Sequence, residues 1–386
     1  MTDPSSPAVQ IDRARYRRVV RYFAGVIAHA VYWEIILRRL LGRRFVERSA
    51  PERWRRIARR FRLLAVDLGG VLIKLGQFLS VRVDVLPQVV TAELSGLQDE
   101  VPAERLVDIQ AVIESEYRQP LGQVFSWFAP QPDAAASLAQ VHRARLLTGD
   151  SVVVKIQRPR IETTVETDLR AIGTAIRWLK RYRPIRRRVD LDRLYDEFSR
   201  TTRNELDFVA EGENAERFAE NFVGDEGVRI PRIYAETSTR RVLIMENVAN
   251  IKITDFDAME AAGIDRKEVA QRLFNTYLTQ AFIHNFVHAD PHPGNLFVRP
   301  LGDSPRKGDL SREFQLVFVD FGMVGHLTPQ VMDQLRETII GLAARDVPRI
   351  IESWDRLGFF LPGTDLRPIE TVAEKVLARF YGLSMG

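Results

Sequence analysis

The segment Phe286-Val287-His288-Ala289-Asp290-Pro291-His292-Pro293-Gly294-Asn295-Leu296-Phe297-Val298 sets polar, proton-accepting groups between two short apolar runs. Pro291 and Pro293 break any helix after Asp290, so the polar centre is a loop presented by its flanks. Asp290 and Asn295 stand five residues apart. A second run, Gln315-Leu316-Val317-Phe318-Val319-Asp320-Phe321-Gly322-Met323, again ends apolar, strand-like residues in a carboxylate. Working outward, long helical patterns surround both runs from Arg266 onward.

A chain of 386 residues exceeds what one hydrophobic core usually serves, and predicts two lobes. Hydrophobic residues at 45% and charged residues at 28% are ordinary globular usage, which argues against a disordered chain or a many-span membrane protein. The absence of cysteine excludes disulfides, thiolate zinc sites, iron–sulfur clusters and cysteine nucleophiles. Net charge is +5, but Met1 to Arg62 holds 16 Arg against 5 acids, so the remainder is acidic. No secretory leader is read at the start, and Tyr22 to Leu37 is shorter than the roughly 20 apolar residues a spanning helix needs. The segment Val19 to Leu41 is expected to be helical, lying either in an anionic membrane interface or on the protein's own core. Nucleic acid is not expected as a partner, because no recognition signature accompanies the Arg clusters.

Trp54 to Leu97 is predicted helical and contains Lys74-Leu75-Gly76-Gln77, where Gly76 points to close packing. A further helix is predicted from Pro102 to Arg118, ended by Pro120-Leu121-Gly122. Then the period changes. Val124 to Phe128, Gln140 to Leu146 and Ser151 to Gln157 read as strands of an antiparallel sheet, with a turn at Thr148-Gly149-Asp150. Ile161 to Trp178 and Leu191 to Phe222 are predicted helical, joined by the basic stretch Arg181 to Arg188. Arg241 to Met245 is one more strand.

Phosphoryl transfer asks for a cation on the phosphates, oxygen ligands for Mg²⁺ and a proton acceptor near the nucleophile. Lys155 ends the strand Val152-Val153-Val154, as the phosphate-binding Lys of a protein kinase does; Asp290 and Asn295 match the kinase catalytic-loop spacing, and Asp320-Phe321-Gly322 supplies a second metal carboxylate. Only seven of the 56 basic residues are Lys, so a Lys at a phosphate position points to a compact charge being wanted there, and Lys74 invites the same reading. A rival reading takes His284, His288 and His292 as a metal cluster, against which the two prolines count.

These residues resemble the UbiB or AarF type of atypical kinase, also called the ADCK family, from about Arg53 to about Gly358. Lys74-Leu75-Gly76-Gln77 matches the family's hallmark, and Ala134-Ala135-Ala136-Ser137-Leu138-Ala139-Gln140-Val141-His142 stands where ordinary kinases carry a Gly-rich loop. The resemblance implies an α+β, two-lobed protein-kinase-like fold with an N-terminal helical extension. It implies ATP or ADP with Mg²⁺: Asp290 as base or metal-proximal carboxylate, Asn295 and Asp320 as metal ligands, Lys155 with Glu211 as phosphate clamp. Ala135, Ala136 and Ser137 would line the phosphates, and Met245, Glu246 and Val248 the adenine. Glu205-Leu206-Asp207 matches the family's Glu-x-Asp element; with Lys74, Gly76 and Gln77 it implies a regulatory helix over the nucleotide cleft. One of the two acids would reach Mg²⁺ or Lys74 while the other does something else, since residues two apart do not share a helical face.

The expected organisation is a basic amphipathic region over 1–52, a helical extension over 53–118, an N-lobe over 119–250 and a helical C-lobe over 251–386. The resemblance further implies an unorthodox kinase or ATPase supporting quinone or other isoprenoid-lipid biosynthesis, cytoplasmic and peripheral at the inner face of a membrane, with lipid-biosynthesis enzymes as partners. A small-molecule phosphotransferase and a nucleotide-gated scaffold are the alternatives. Departures are Arg82-Val83-Asp84 and Asn247, and the chain stops at Gly386 where many relatives continue into hydrophobic spans.

Overall fold

The computed structural model describes residues 10–82, 86–98, 101–181, 190–302, 311–360 and 363–382. Val83, Asp84 and the basic stretch beyond Arg181 lie outside the described residues. The chain forms two compact units, one made of residues up to Glu216 with Pro231–Val248, the other of Arg217–Ile230 with everything from Ala249.

The first unit opens on helix α1 (Arg13–Val31), capped by Asp12, whose carboxylate accepts from the Ala14 and Arg15 amides. Arg15 fastens it: Nε and Nη2 donate to the fully buried Asp168 at 2.7 and 2.6 Å, and Nη1 and Nη2 reach the Leu68 and Gly69 carbonyls at 2.7 and 2.9 Å. One guanidinium therefore neutralises a buried carboxylate and satisfies carbonyls at the end of α2 (Arg43–Leu68). Beyond Val31 the helix does not stop. It continues through a π-helical turn, Tyr32–Leu37, and Arg38–Leu41. The uninterrupted Arg13–Leu41 is long and apolar enough, by length and composition, to cross a bilayer, which corrects the expectation of too short a segment. Its first half is committed elsewhere, since Val19 is fully buried and Tyr16, Val20, Tyr22 and Phe23 pack on the unit's helical core.

Gly69 and Gly70, at φ +64° and +65°, separate α2 from α3 (Val71–Ser80), which carries Lys74 to Gln77. Val71, Leu72, Ile73, Leu75 and Gly76 are buried, so the apolar side of the helix is core. After α4 (Gln88–Leu94), the next helix, α5, runs from Leu106 to Tyr117. Pro102 does not open it: Arg105, extended at ψ 143°, is its N-cap residue.

The sheet is antiparallel, in the order β1 (Phe125–Phe128), β3 (Ala139–Leu146), β4 (Ser151–Gln157), β6 (Val242–Glu246), with β2 (Ala134–Ala135) paired to β3. Alternation along β4 buries Val152, Val154 and Ile156 under Ile109, Val112 and Ile113 of α5 and turns Lys155 to the opposite face. The region predicted as one helix from Leu191 to Phe222 is two: α7 (Leu191–Asn204) and α8 (Phe208–Asn221), preceded by α6 (Ile161–Leu179). Helical periodicity runs through both, and the break falls at Glu205-Leu206-Asp207, where polar side chains compete with the helical ladder.

The second unit holds the sheet β5 (Val228–Arg229), β10 (Phe314–Phe318), β9 (Leu296–Pro300), β7 (Ile251–Lys252), and a two-stranded ribbon of β8 (Phe286–His288) and β11 (Val324–His326). Its helices include α9 (Phe256–Ala261), α10 (Arg266–Thr279), α11 (Pro329–Ala344), α12 (Val347–Arg356) and α13 (Arg367–Gly382).

Gly76 is where close packing has a price in side-chain size. A Cβ there would overlap Leu97 Cδ1 and stand 3.2 Å from Phe61 Cε1. Gly76→Ala is expected to destabilise the chain by about 1–3 kcal/mol through overpacking. Urea unfolding followed by circular dichroism measures it, and an unchanged midpoint would show that Leu97 moves aside freely.

Candidate functional site

In the first unit two lysines each hold a glutamate. Lys155 Nζ donates to Glu211 Oε1 and Oε2 at 2.7 and 2.9 Å and stands 5.3 Å from the centroid of the Phe208 ring. Glu211 is 3% exposed and Lys155 13%, so this is a largely dehydrated, charge-assisted pair. Lys74 pairs with Glu205, both about one-fifth exposed at 18% and 20%. Asp207 takes neither lysine: its Oδ1 accepts from the Ala210 amide at 3.3 Å, and its carbonyl from the Glu211 amide at 3.1 Å. It thus acts as the N-cap of α8, the helix that carries Glu211. Gln77 Nε2 reaches the Leu97 carbonyl at 3.4 Å, a long contact.

The Ala-rich segment is less of a loop than its composition predicts. Ala134 and Ala135 pair with Val141 and Gln140, and the Ala136 amide donates to Ala139 O at 2.8 Å, closing a narrow hairpin over half-buried Ser137. Met245, at 8% exposure, sits in β6; the Glu246 amide donates to Arg232 O at 2.8 Å, and Val248 is buried.

In the second unit the two polar runs are laced together. The Ala289 amide donates to Met323 O at 3.0 Å and the Val319 amide to Asn295 O at 3.0 Å. Asn295 Nδ2 donates to Asp290 Oδ2 at 2.8 Å, which orients the amide and leaves Oδ1 as its acceptor end. Buried His288 points Nε2 at Asp320 O, 2.8 Å away, and its own amide donates to Gln280 Oε1 at 2.9 Å. Asp320 adopts φ +64°, a left-handed conformation uncommon for a residue with a Cβ, and its Oδ1 accepts from the Gly322 amide at 3.3 Å. Phe321, 2% exposed, packs on Phe218 and His288 at 5.2 and 5.4 Å between ring centroids. Burial, and after it the Asp290 carboxylate, pushes the Tyr277 hydroxyl up to about 12, so that phenol stays protonated beside the acid.

The three-histidine metal cluster is not formed. His284 packs edge-on against Phe222, His292 Nδ1 accepts from the Gly294 amide at 3.1 Å, and His288 serves Asp320; among the described residues no three His, Cys, Asp or Glu side chains converge.

Residues 96–354, more than half of the chain, match the model of the ABC1 atypical kinase-like domain. The chain belongs to that family. Relatives of the ABC1 chain include a probable protein kinase UbiB of Pseudomonas putida, 36% identical over 83% of this chain and 58% of its own length. Another is the protein Activity of bc1 Complex Kinase 8, chloroplastic, of Arabidopsis thaliana, 37% identical over 79% of this chain and 39% of its own. An uncharacterised Synechocystis protein is 38% identical over 87% of this chain and 56% of its own. The chain thus spans about half the length of the curated relatives it matches. Among solved structures it is similar to Rv3197 of Mycobacterium tuberculosis in complex with erythromycin, at TM-score 0.55 and 23% identity over 87% of this chain and 80% of that one. The fold is accordingly α+β and kinase-like, as the sequence predicts.

Several residues of this ABC1 domain have no motif to announce them. Phe208 lies against Lys155, Phe218 supports Phe321, and Gln280, in the π-helical turn Gln280–His284, holds the amide of His288. The π turn was detectable only as a helix running unbroken into a strand. Asp207 provides the sharpest test of the local geometry. Asp207→Ala is expected to lose about 1 kcal/mol of stability, whereas Asp207→Asn, a good cap without charge, keeps most of it. Chemical unfolding of both variants decides: equal losses would mean that the carboxylate charge, rather than the cap, is what matters.

Proposed function

We propose that the chain binds ATP or ADP with Mg²⁺ and transfers or hydrolyses the terminal phosphoryl group. The observation that carries this is the buried Lys155–Glu211 pair, a fixed cation whose position matches the kinase phosphate-binding lysine. Donor chemistry supports the metal: Asp290, Asn295 and Asp320 offer hard oxygens only, and Asn295 directs its amide nitrogen inward to Asp290. Mg²⁺, when bound, neutralises phosphate charge. Asn295 and Asp320 would hold it, Lys155 would hold the phosphates, and Glu211 keeps Lys155 in place. Asp290 would accept the proton of an attacking hydroxyl or water as its oxygen bonds to phosphorus and the bond to the departing ADP oxygen breaks. Met245, Glu246 and Val248 would border the adenine, and Ala135, Ala136 and Ser137 the phosphates. Lys74 with Glu205, on the tightly packed Gly76 and Gln77 helix, would restrain access to that chemistry.

Asp320→Asn is expected to abolish the Mg²⁺-dependent thermal shift with ATP, since it removes an anionic oxygen ligand that such an ion requires. An undiminished shift would take Asp320 out of the metal site.

The second half of the reading is peripheral attachment at the cytoplasmic face of a membrane, in support of quinone or other isoprenoid-lipid metabolism with its enzymes as partners. The lipid role rests on the family resemblance alone. For attachment, support comes from Val31, Tyr32, Ile36, Leu40, Leu41 and Phe45, all exposed around the end of the N-terminal helix, alongside exposed Arg38, Arg39, Arg44 and Arg48. Flotation is expected with anionic vesicles and not with neutral ones, and is expected to fall with salt because such attraction is screened over about 8 Å at physiological ionic strength. Leu40→Glu with Leu41→Glu is expected to abolish it. Equal flotation on neutral vesicles would remove the Arg clusters from the explanation.

A further inference from the structure

Helix α2 carries nine arginines against three acids, and four of the arginines are bunched: Arg55, Arg56, Arg59 and Arg62 fall within eight residues. Arg55 and Arg59, Arg56 and Arg59, and Arg59 and Arg62 are three or four apart, so like charges stand one turn from each other on the helix surface. Such pairs destabilise a helix unless something negative lies between them.

Across from this stripe runs α4, held to α2 by Ala58, Phe61, Val90 and Leu94, which share one core cluster. Between the two helices lies a groove of about 320 Å³, lined by Glu52, Arg55, Arg56, Arg59, Arg62 and Glu93. Both of its acids are spent. Glu52 accepts from Arg55 Nη1 at 3.3 Å, and Glu93, on α4, accepts from Arg62 Nε at 3.2 Å. The remaining acids of α2, Glu47 and Asp67, are engaged by Arg43 and Arg18. Two positive charges are left over in the groove. Among the described residues Arg56 and Arg59 have no hydrogen-bond or ion-pair partner, and both are exposed. Arg53, on the same helix, shows the contrast: it is 8% exposed, lies 4.0 Å from the centroid of the Trp33 ring, and donates from Nη2 to Val46 O at 2.9 Å.

We propose that the groove between α2 and α4 binds a phosphate-bearing anion, held by the Arg56 and Arg59 guanidiniums between Arg55 and Arg62. The planar fork of a guanidinium matches phosphate oxygens two at a time, and several forks around one point suit a tetrahedral, multiply charged anion better than a single carboxylate. Glu52 and Glu93 fix the flanking arginines and leave the middle pair unneutralised. A volume of about 320 Å³ is at the small end of ligand sites and accommodates a diphosphate or a phosphorylated headgroup. The bound anion would relieve the repulsion built into the stripe. No residue of the groove takes part in the nucleotide site proposed above, so the two stand or fall separately. A soluble phosphate compound and the headgroup of a lipid share this chemistry, and the experiment separates them.

Three full-length proteins are titrated with inorganic pyrophosphate, without Mg²⁺, by calorimetry and by thermal melts. They are the wild type, Arg56→Gln with Arg59→Gln, and a control, Arg13→Gln with Arg17→Gln, which removes the same charge from exposed positions of α1. The wild type is expected to take up pyrophosphate and to melt higher with it. The groove variant is expected to bind about tenfold more weakly or worse, the loss of charge-assisted hydrogen bonds. With its like-charge pairs gone, it is expected to melt no lower than the wild type in the absence of ligand and to gain nothing from pyrophosphate. The control is expected to keep the wild-type affinity. Undiminished binding by the groove variant, an equal loss in the control, or a folded wild type that takes up no pyrophosphate overturns the proposal. Flotation on phosphatidylcholine vesicles containing phosphatidic acid then names the source. Release of the wild type by pyrophosphate makes a lipid headgroup the ligand, and flotation indifferent both to pyrophosphate and to the groove variant makes it a soluble phosphate compound; the site stands in either case.

Discussion

Everything arranged around the two lysines of the first unit depends on the helix ending at Asn204 and starting again at Phe208. Were the helix continuous, Glu205 and Asp207 would leave it in divergent directions and Glu211 would follow their register. The three-residue break frees them. Glu205 goes to Lys74, Asp207 caps the new helix, and the capped helix carries Glu211 to Lys155. These contacts follow the order of the acids along the chain. Lys74 lies on a helix whose apolar side is fixed by Gly76 against Leu97, so its ion pair joins two elements that are themselves rigidly packed.

Around its two polar runs the second unit is ordered by backbone hydrogen bonds and aromatic contacts. Asp290 and Asp320 are both acidic, so neither orders the other. Instead each is held through its neighbours: Asp290 by Asn295, and Asp320 by His288 through the peptide carbonyl. The unusual φ of Asp320 is sustained by Phe321, driven into the cluster of Phe218, Phe286, Phe318 and His288. Apolar burial thereby holds the backbone conformation that sets the direction of the carboxylate.

The N-terminal helix divides its residues between two environments. Its first half is locked by Arg15 onto Asp168 and the carbonyls at the end of α2, and its far end exposes apolar side chains among arginines. One helix uses its apolar residues in two ways, the first half packed on the core and the far end exposed. Periodicity alone could not separate them. Helical spacing reports that a face is apolar, and only the presence of Thr167, Asp168 and Thr174 opposite Asp12, Arg15 and Tyr16 decides which part of that face is covered.

By itself the sequence determined the polar loops, the Lys155 strand, the helix with Lys74 to Gln77 and the kinase-like class, because these depend on local order: alternation along a strand, prolines ending a helix, fixed spacing between acids and amides. Tertiary structure alone decided which of Glu205 and Asp207 meets Lys74, since the two carry the same charge two residues apart and only the break between α7 and α8 distinguishes them. It also decided that the Ala-rich stretch is a pinned hairpin. Alanine composition says nothing of Arg158, 22 residues along the chain from Ala136, whose fork reaches it only after β3 and β4 have folded back on each other. Local propensity acts over a few residues, whereas a hydrogen bond between distant segments is specified by the packing of everything that brings them together.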